Sequence, residues 1–345
     1  MEITLKGEST INIGATDALS TDTEVYFSHE DGGTGGYLHL NGFSTTVGEI
    51  ASGSSLGAGF IDNGGVPDAT LTIGNSEDTT YSGFIGDGSG GGKLSLVKNG
   101  TGTLTLAGEN SNYSGTTTIN QGTLVAGADG ALGYGTVHVN GVLRLDNHDL
   151  NNDVQVNSGG ALTGNGFAFS ASINSGGLLA PGGLYCPIGT LSFNELALNA
   201  GGHYEWNFKD ASNYDQVSVI YATTLAINAT AAGGEFTINV VSLDSGDNVG
   251  MATGFEVGHT YTFNIFTAPH ITDFSADKFK FDTTGFSTDA GSNAIFSINQ
   301  VDGEGGQYLV LSFTPVAVPE PSTWAMLGTG VLALGVIGWR KRKQV

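Results

Sequence analysis

The chain has little with which to do covalent or charge-driven chemistry. Cys186 is its only cysteine, so no internal disulfide framework exists, and the residue reads as a small buried side chain rather than a reactive thiol. Charged residues make up only 13% of the sequence. Four of the eleven basic residues stand together at the end as Arg340, Lys341, Arg342 and Lys343. Without that tail and Glu320 the remainder holds 7 basic and 32 acidic residues, a net charge of −25. A surface of that sign repels phosphate backbones and anionic lipid, which argues against nucleic acid as a partner. The seven histidines are scattered without ligand spacing. In the middle of the chain no run shows helical spacing, and nothing there is long enough to be a crossover helix.

What is abundant is glycine, 56 of 345 residues, against a usual share of ~7%. It follows no collagen period, so it is turn glycine. From about Leu94 to Leu198 it punctuates a repeat. Asn99-Gly100-Thr101-Gly102-Thr103-Leu104 is echoed by Asn120-Gln121-Gly122-Thr123-Leu124 and by Asn140-Gly141-Val142-Leu143. Asn157 and Asn174 open two further copies that end at Leu162 and Leu179. The five leucines step by 20, 19, 19 and 17 residues, and self-similarity at such a period marks stacked repeats. Within each repeat apolar residues alternate over short runs, the period of strands with one buried face. One repeat cannot bury its apolar face alone, so successive repeats must stack, as a β-solenoid. Stacking would align Asn99, Asn120, Asn140, Asn157 and Asn174 into an amide ladder at a corner.

Four regions follow in order. Residues 1–90 read as short strands with polar turns, the irregular first coils of the solenoid, with Glu2–Leu5 and Thr10–Ile13 among them. Residues 91–200 are the regular repeats. Residues 201–314 are richer in aromatics and either continue the solenoid or cap it as an antiparallel unit, since an open end would expose unpaired strand edges. Residues 315–345 are a proline-bearing linker, an uncharged run from Ser322 to Trp339 and the basic tail. As a single transmembrane helix that run spans about 27 Å, near the lower limit for a bilayer. Trp324 and Trp339 sit at its ends, and the basic residues that follow would stay cytoplasmic with the acidic body outside. Met1 to Gly7 has neither the charged start nor the apolar core of a signal peptide. That leaves a start site placed too late, a truncated N-terminus or another export route.

Two stretches resemble known families. Val318-Pro319-Glu320-Pro321-Ser322-Thr323, the apolar run and the Arg-Lys-Arg-Lys tail resemble the PEP-CTERM sorting signal of Gram-negative bacteria. The resemblance implies recognition by a membrane-embedded exosortase, cleavage near Pro319, Glu320 and Pro321, and export associated with exopolysaccharide. The inner membrane would hold an intermediate before delivery to the cell surface or extracellular matrix. The segment from Leu94 through Asn99-Gly100-Thr101-Gly102 and Tyr113-Ser114-Gly115 to Leu124 resembles the autotransporter-associated β-strand repeat. That likeness reaches over roughly residues 35 to 205 and implies a right-handed parallel β-helix. An autotransporter ends in a membrane barrel of many alternating strands; this sequence ends in one apolar run and a basic tail.

Catalytic patterns match only loosely. Gly53-Ser54-Ser55-Leu56-Gly57 fits a nucleophile elbow but no helix follows it. Gly86-Asp87-Gly88-Ser89-Gly90-Gly91 fits a dinucleotide loop but carries an acid and leads into a strand. Asp146 to Asp153 and Asp244 to Asn248 offer oxygens that suit calcium, against a plain reading as solvated corners. No cofactor is implied. The sequence therefore points to an exported, non-catalytic surface or matrix protein with a structural or adhesive role toward polysaccharide or neighbouring cells. The alternative is a polysaccharide-active β-helix enzyme, hydrolase or lyase. Glu205 with Asp210 or Asp215 is its carboxylate set.

Overall fold

The computed structural model describes residues 1–28, 35–53, 59–74, 76–182, 187–221 and 223–317. The apolar run 322–339, the Pro319-Glu320-Pro321 motif, the basic tail, Cys186 and most of the Gly53–Gly57 loop lie outside them. Among the described residues the structure is all-β, with one short 3-10 helix, Ala276–Lys278. No helix among them is long and apolar enough to cross a membrane.

The strands pair in parallel and in register at the spacing of the repeat. Leu104 stands beside Leu124, Leu124 beside Leu143, Leu143 beside Leu162 and Leu162 beside Leu179. The row goes on through Tyr204 and Ile238 to Phe281. A second row holds Ile73, Lys98, Ile119, Val139, Val156, Ile173, Leu198 and Ile227. The apolar members of both rows are fully or nearly fully buried, apart from Phe281, which is half-buried. Each such side chain contributes about 2 kcal/mol of burial, and in a row every one lies on its equivalent in the next rung. In Leu94–Lys98 and Ala69–Ile73 the positions between buried residues point outward and hold Ser95, Val97, Thr70 and Thr72, which is the alternation the sequence shows.

Two details depart from the expected pattern of short strands. Glu2–Leu5 and all of Thr10–Ile13 but its last residue belong to one strand, Glu2–Asn12. Its first half pairs with Glu24–Ser28 and its second with Gly35–His39, the register shifting between Gly7 and Thr10. The left-handed Gly7, φ 56°, lets one strand serve both partners. The acid-rich stretch from Asp146 to Asp153 is not a corner. It lies inside the 15-residue strand Val142–Val156, paired along its length with Ala161–Ile173. The register skips between Asp146 and His148, where Asn147 takes a left-handed φ of 62°, and again between Leu150 and Asp153. These bulges let a chain with too many polar residues for an alternating strand keep Leu150 and Val154 buried.

Beyond residue 201 the parallel pairing continues, His203–Phe208 on Phe236–Ser242 and the latter on Phe279–Gly285. The last pairings are antiparallel: Gly306–Pro315 lies between Tyr261–Ala268 and Ala294–Gly303. The interior here is aromatic. Trp206 stacks on Phe208 at 4.8 Å, and Phe313 contacts Phe263, Phe255, Phe286 and Phe296 within 5.6 Å. Larger side chains fill the wider space left where longer connections, such as 243–260, separate the strands.

The closeness of adjacent rungs makes particular glycines obligatory. Gly164, φ 95°, lies against Leu145, and a Cβ there would run into the Leu145 carbonyl oxygen. Gly91 has a similar φ of 94° but open space around it. Gly164→Ala is expected to cost about 3 kcal/mol from strain and overpacking, and Gly91→Ala about 1 kcal/mol from the backbone alone. Urea midpoints of the two variants measure the difference.

Candidate functional site

The asparagines that open the repeats stand directly after the buried row that contains Ile119 and Val139. Their backbone N–H groups donate to the rung before, Asn120 to the Lys98 carbonyl at 2.8 Å and Asn157 to that of Val139 at 2.9 Å. Their side chains form a chain of amides. The Asn120 Nδ2 donates to Asn99 Oδ1 at 2.7 Å, Asn140 to Asn120 at 3.2 Å, Asn157 to Asn140 at 3.2 Å and Asn174 to Asn157 at 3.1 Å. Asn199 and Asn228 extend the row, each at 2.9 Å. An amide carries both a donor and an acceptor, so it can bond above and below at once, which a carboxylate or hydroxyl row does less well.

Lys98 sits in the adjacent interior row, where its neighbours are isoleucine and valine. Its ammonium donates to the Gly100 carbonyl at 2.6 Å and the Gln121 carbonyl at 3.3 Å. Burial lowers its pKa to about 8. It draws together the carbonyls of two successive glycine corners, so the lysine is a structural cation. Aligning the repeats exposes it, since the equivalent positions hold Ile73, Ile119, Val139 and Val156.

Of the carboxylate set of the enzyme alternative, Glu205 and Asp215 meet across one amide, Asn207 Nδ2, which donates to Glu205 Oε1 at 3.5 Å and to Asp215 Oδ2 at 2.9 Å, yet the acids sit in different surroundings. Asp215 is fully buried. Its two oxygens accept the Gly189 N–H at 2.8 Å, and the Asn207 N–H and Nδ2 at 2.9 Å each. Burial pushes its carboxyl up to about 8 against the pull of those donors, and Glu205 adds to the rise. Asp210 lies on an exposed turn and is occupied by Ser212 and Asn213. Desolvation works against its charge, yet those donors hold it below the ordinary carboxyl range. Glu205 alone lines an open cleft of about 470 Å³, together with Arg144, Asn207 and Asp247. Asp247 is paired with Lys209 at 2.7 Å. Of three acids, then, one is sealed in the core, one closes its own turn, and one faces a cleft.

The other acidic stretches are similarly engaged. Asp244 Oδ1 accepts the N–H groups of Gly246 and Asn248 and closes its loop. Among the described residues no three His, Cys, Asp or Glu groups converge as metal ligands. Histidines pair singly with aspartates, His39 with Asp62 at 2.7 Å and His148 with Asp129 at 3.1 Å. Tyr37, Phe60 and Phe84 form an outward aromatic row, but Tyr37 and Phe60 stack on one another at 5.3 Å. Their faces are therefore covered by each other. The residue that sequence reasoning missed is Tyr221, 75% exposed at a corner, with a left-handed φ of 62°. No repeat or motif marks it.

Comparison with known proteins gives two matches to this geometry and its tail. The passenger-associated-transport-repeat family matches residues 96–126, which cover four of the in-register strands. The PEP-CTERM protein-sorting motif matches residues 317–343. The chain thus carries one passenger-type repeat and one C-terminal sorting motif. A curated relative, the adhesin BmaC autotransporter of Brucella suis biovar 1 (strain 1330), is 49% identical over 92 residues, which is 26% of this chain. The chain spans only 2% of that relative's length.

Two measurements test this reading of the amide row and of Asp215. Asn157 makes two ladder bonds and Asn228 one, so Asn157→Ala is expected to cost about 2 kcal/mol and Asn228→Ala about 1 kcal/mol in urea denaturation. For Asp215, the folded chain holds a proton that the unfolded chain releases between the ordinary 3.8 and about 8. Stability from this group is therefore full below that window and falls as pH rises through it. Asp215→Asn is expected to lower the melting temperature at every pH and to flatten its decline from pH 4 to 8.

Proposed function

We propose that the chain is an exported, non-catalytic surface or matrix protein whose stacked parallel strands form a right-handed parallel β-helix. The observation that carries this reading is the seven-asparagine amide row running beside buried in-register rows. It is a device for length and rigidity. In this reading residues 1–90 are irregular first coils and residues 91–200 the regular ones. Residues 201–314 continue the coil and close it with the antiparallel strands at its end, which covers the edge that would otherwise recruit other strands.

The sorting motif supports delivery by a membrane exosortase, with Pro319, Glu320 and Pro321 at the cleavage region. The run 322–339 would act as a transient inner-membrane helix, held by Arg340, Lys341, Arg342 and Lys343. The 92-residue likeness to an adhesin supports an adhesive role, and the polar, acidic flanks suit a hydrated matrix of exopolysaccharide. Display on a Gram-negative cell surface is then the mechanism: a stiff body presents rows of Thr, Ser and Asn to whatever it meets. The enzyme alternative is weakened because Asp215 and Asp210 are committed to backbone donors.

Intact mass of the protein recovered from cells with and without the exosortase tests the sorting. The expected result is loss of a C-terminal fragment beginning near residue 319 in normal cells and its retention in the mutant. Recovery of the uncleaved chain from both would overturn it.

A further inference from the structure

The outward face of the strands Val142–Val156, Ala161–Ile173 and Thr190–Leu198 carries an open groove of about 540 Å³. Its floor is one lateral row, Asp149 beside Phe167 beside Ser192. Two rung spacings separate the ends of that row, about 10 Å. Thr190 stands on the same face two residues before Ser192. At one rim is Asn147 and at the other Tyr221, and both hold a left-handed backbone, φ 62°.

Three features distinguish this groove from ordinary surface. First, Tyr221 is an aromatic residue kept 75% exposed in a conformation that side chains rarely adopt. Its ring stands perpendicular to that of Phe167, at 6.4 Å and 88°, so the two form an L-shaped apolar wall, and the exposure of Tyr221 leaves ring surface open to solvent. Second, the side-chain polar atoms of Asn147, Asp149, Thr190 and Ser192 are not engaged by any other described residue. They mix donors with acceptors at short intervals. Third, none of the groove's lining residues is cationic, and the one charged group is the carboxylate of Asp149.

Open ring faces beside closely spaced hydroxyl, amide and carboxylate groups suit a ligand with apolar C–H faces and a rim of hydroxyls. That is the surface of a sugar ring. An acidic sugar would meet Asp149 and an acidic body with no cation to hold it, which selects an uncharged chain. The length of the floor fits two or three sugar units.

We propose that this groove is a binding site for an uncharged oligosaccharide, with Tyr221 and Phe167 packing on the sugar faces and Asp149, Thr190 and Ser192 taking the hydroxyls. The inference rests on the surface-display reading and gives it a ligand class. Its test is made on purified protein, so a failure of sorting in cells leaves the result untouched.

The full chain is titrated calorimetrically with maltoheptaose, cellohexaose, laminarihexaose and hexagalacturonate. At least one uncharged chain is expected to bind, and hexagalacturonate is not. Tyr221→Gly is expected to weaken that binding about tenfold or more, the loss of a single well-packed aromatic contact. Glycine accepts the left-handed backbone freely, so the variant's melting temperature should be unchanged or higher, which separates loss of binding from loss of fold. Asp149→Lys is expected to admit hexagalacturonate. The proposal is overturned if no uncharged chain binds at millimolar concentration, or if hexagalacturonate binds the unaltered protein best. It is also overturned if Tyr221→Gly binds equally well, or if sedimentation shows that Tyr221 serves self-association instead.

Discussion

Parallel backbone pairing between one repeat and the next is the constraint on which everything else depends. It brings equivalent residues of successive repeats about 4.8 Å apart. At that distance any residue type is tolerated only if it can sit on a copy of itself. Leucine, isoleucine and valine do so by packing, which accounts for the continuous rows through Leu143 and Val139. Asparagine does so by bonding amide to amide. Glycine does so at the corners, where rung backbones approach too closely for a side chain, as at Gly122 over the carbonyls of Gly100 and Gly102. The low content of charge has the same origin: like charges stacked in a row repel along its whole length.

The same constraint explains where polar groups enter the interior and how they are neutralised. Lys98 breaks an aliphatic row, but its ammonium reaches two corner carbonyls. Asp215 is buried among three N–H donors that tie the Gly189 loop to the strand His203–Phe208. Both are paired within the fold and neither is presented to solvent. Exposed chemistry is confined to outward rows and to corners, and there the groove between Asn147 and Tyr221 stands apart because the side chains of Asn147, Asp149, Thr190 and Ser192 have no partner among the described residues.

In the last third of the chain the interior changes from aliphatic to aromatic. The pairing remains parallel through Phe279–Gly285 and then turns antiparallel. Phe313 is the centre of this change, touching rings from five other segments. Rings fill irregular space better than a fixed row of leucines. They appear where connections lengthen and the strict repeat gives out.

The amino-acid sequence by itself determined the all-β character of the described residues, the spacing of the rungs, which leucines are interior, and the sorting motif. These are local or periodic properties, written in spacing and in contiguous residues. It also pointed to the asparagines, because a residue that recurs with the period must recur in space if the repeats stack. The tertiary structure alone decided that Asp215 is sealed while Glu205 faces a cleft, because both lie in similar polar, aromatic-rich sequence and differ only in which neighbours cover them. It alone decided that the acids from Asp146 to Asp153 run within a bulged strand and not around a corner. And it alone placed Tyr221 beside Phe167, 54 positions away in the chain, since a groove is made by residues from different rungs, and no spacing along one strand of sequence records which of them will share a face.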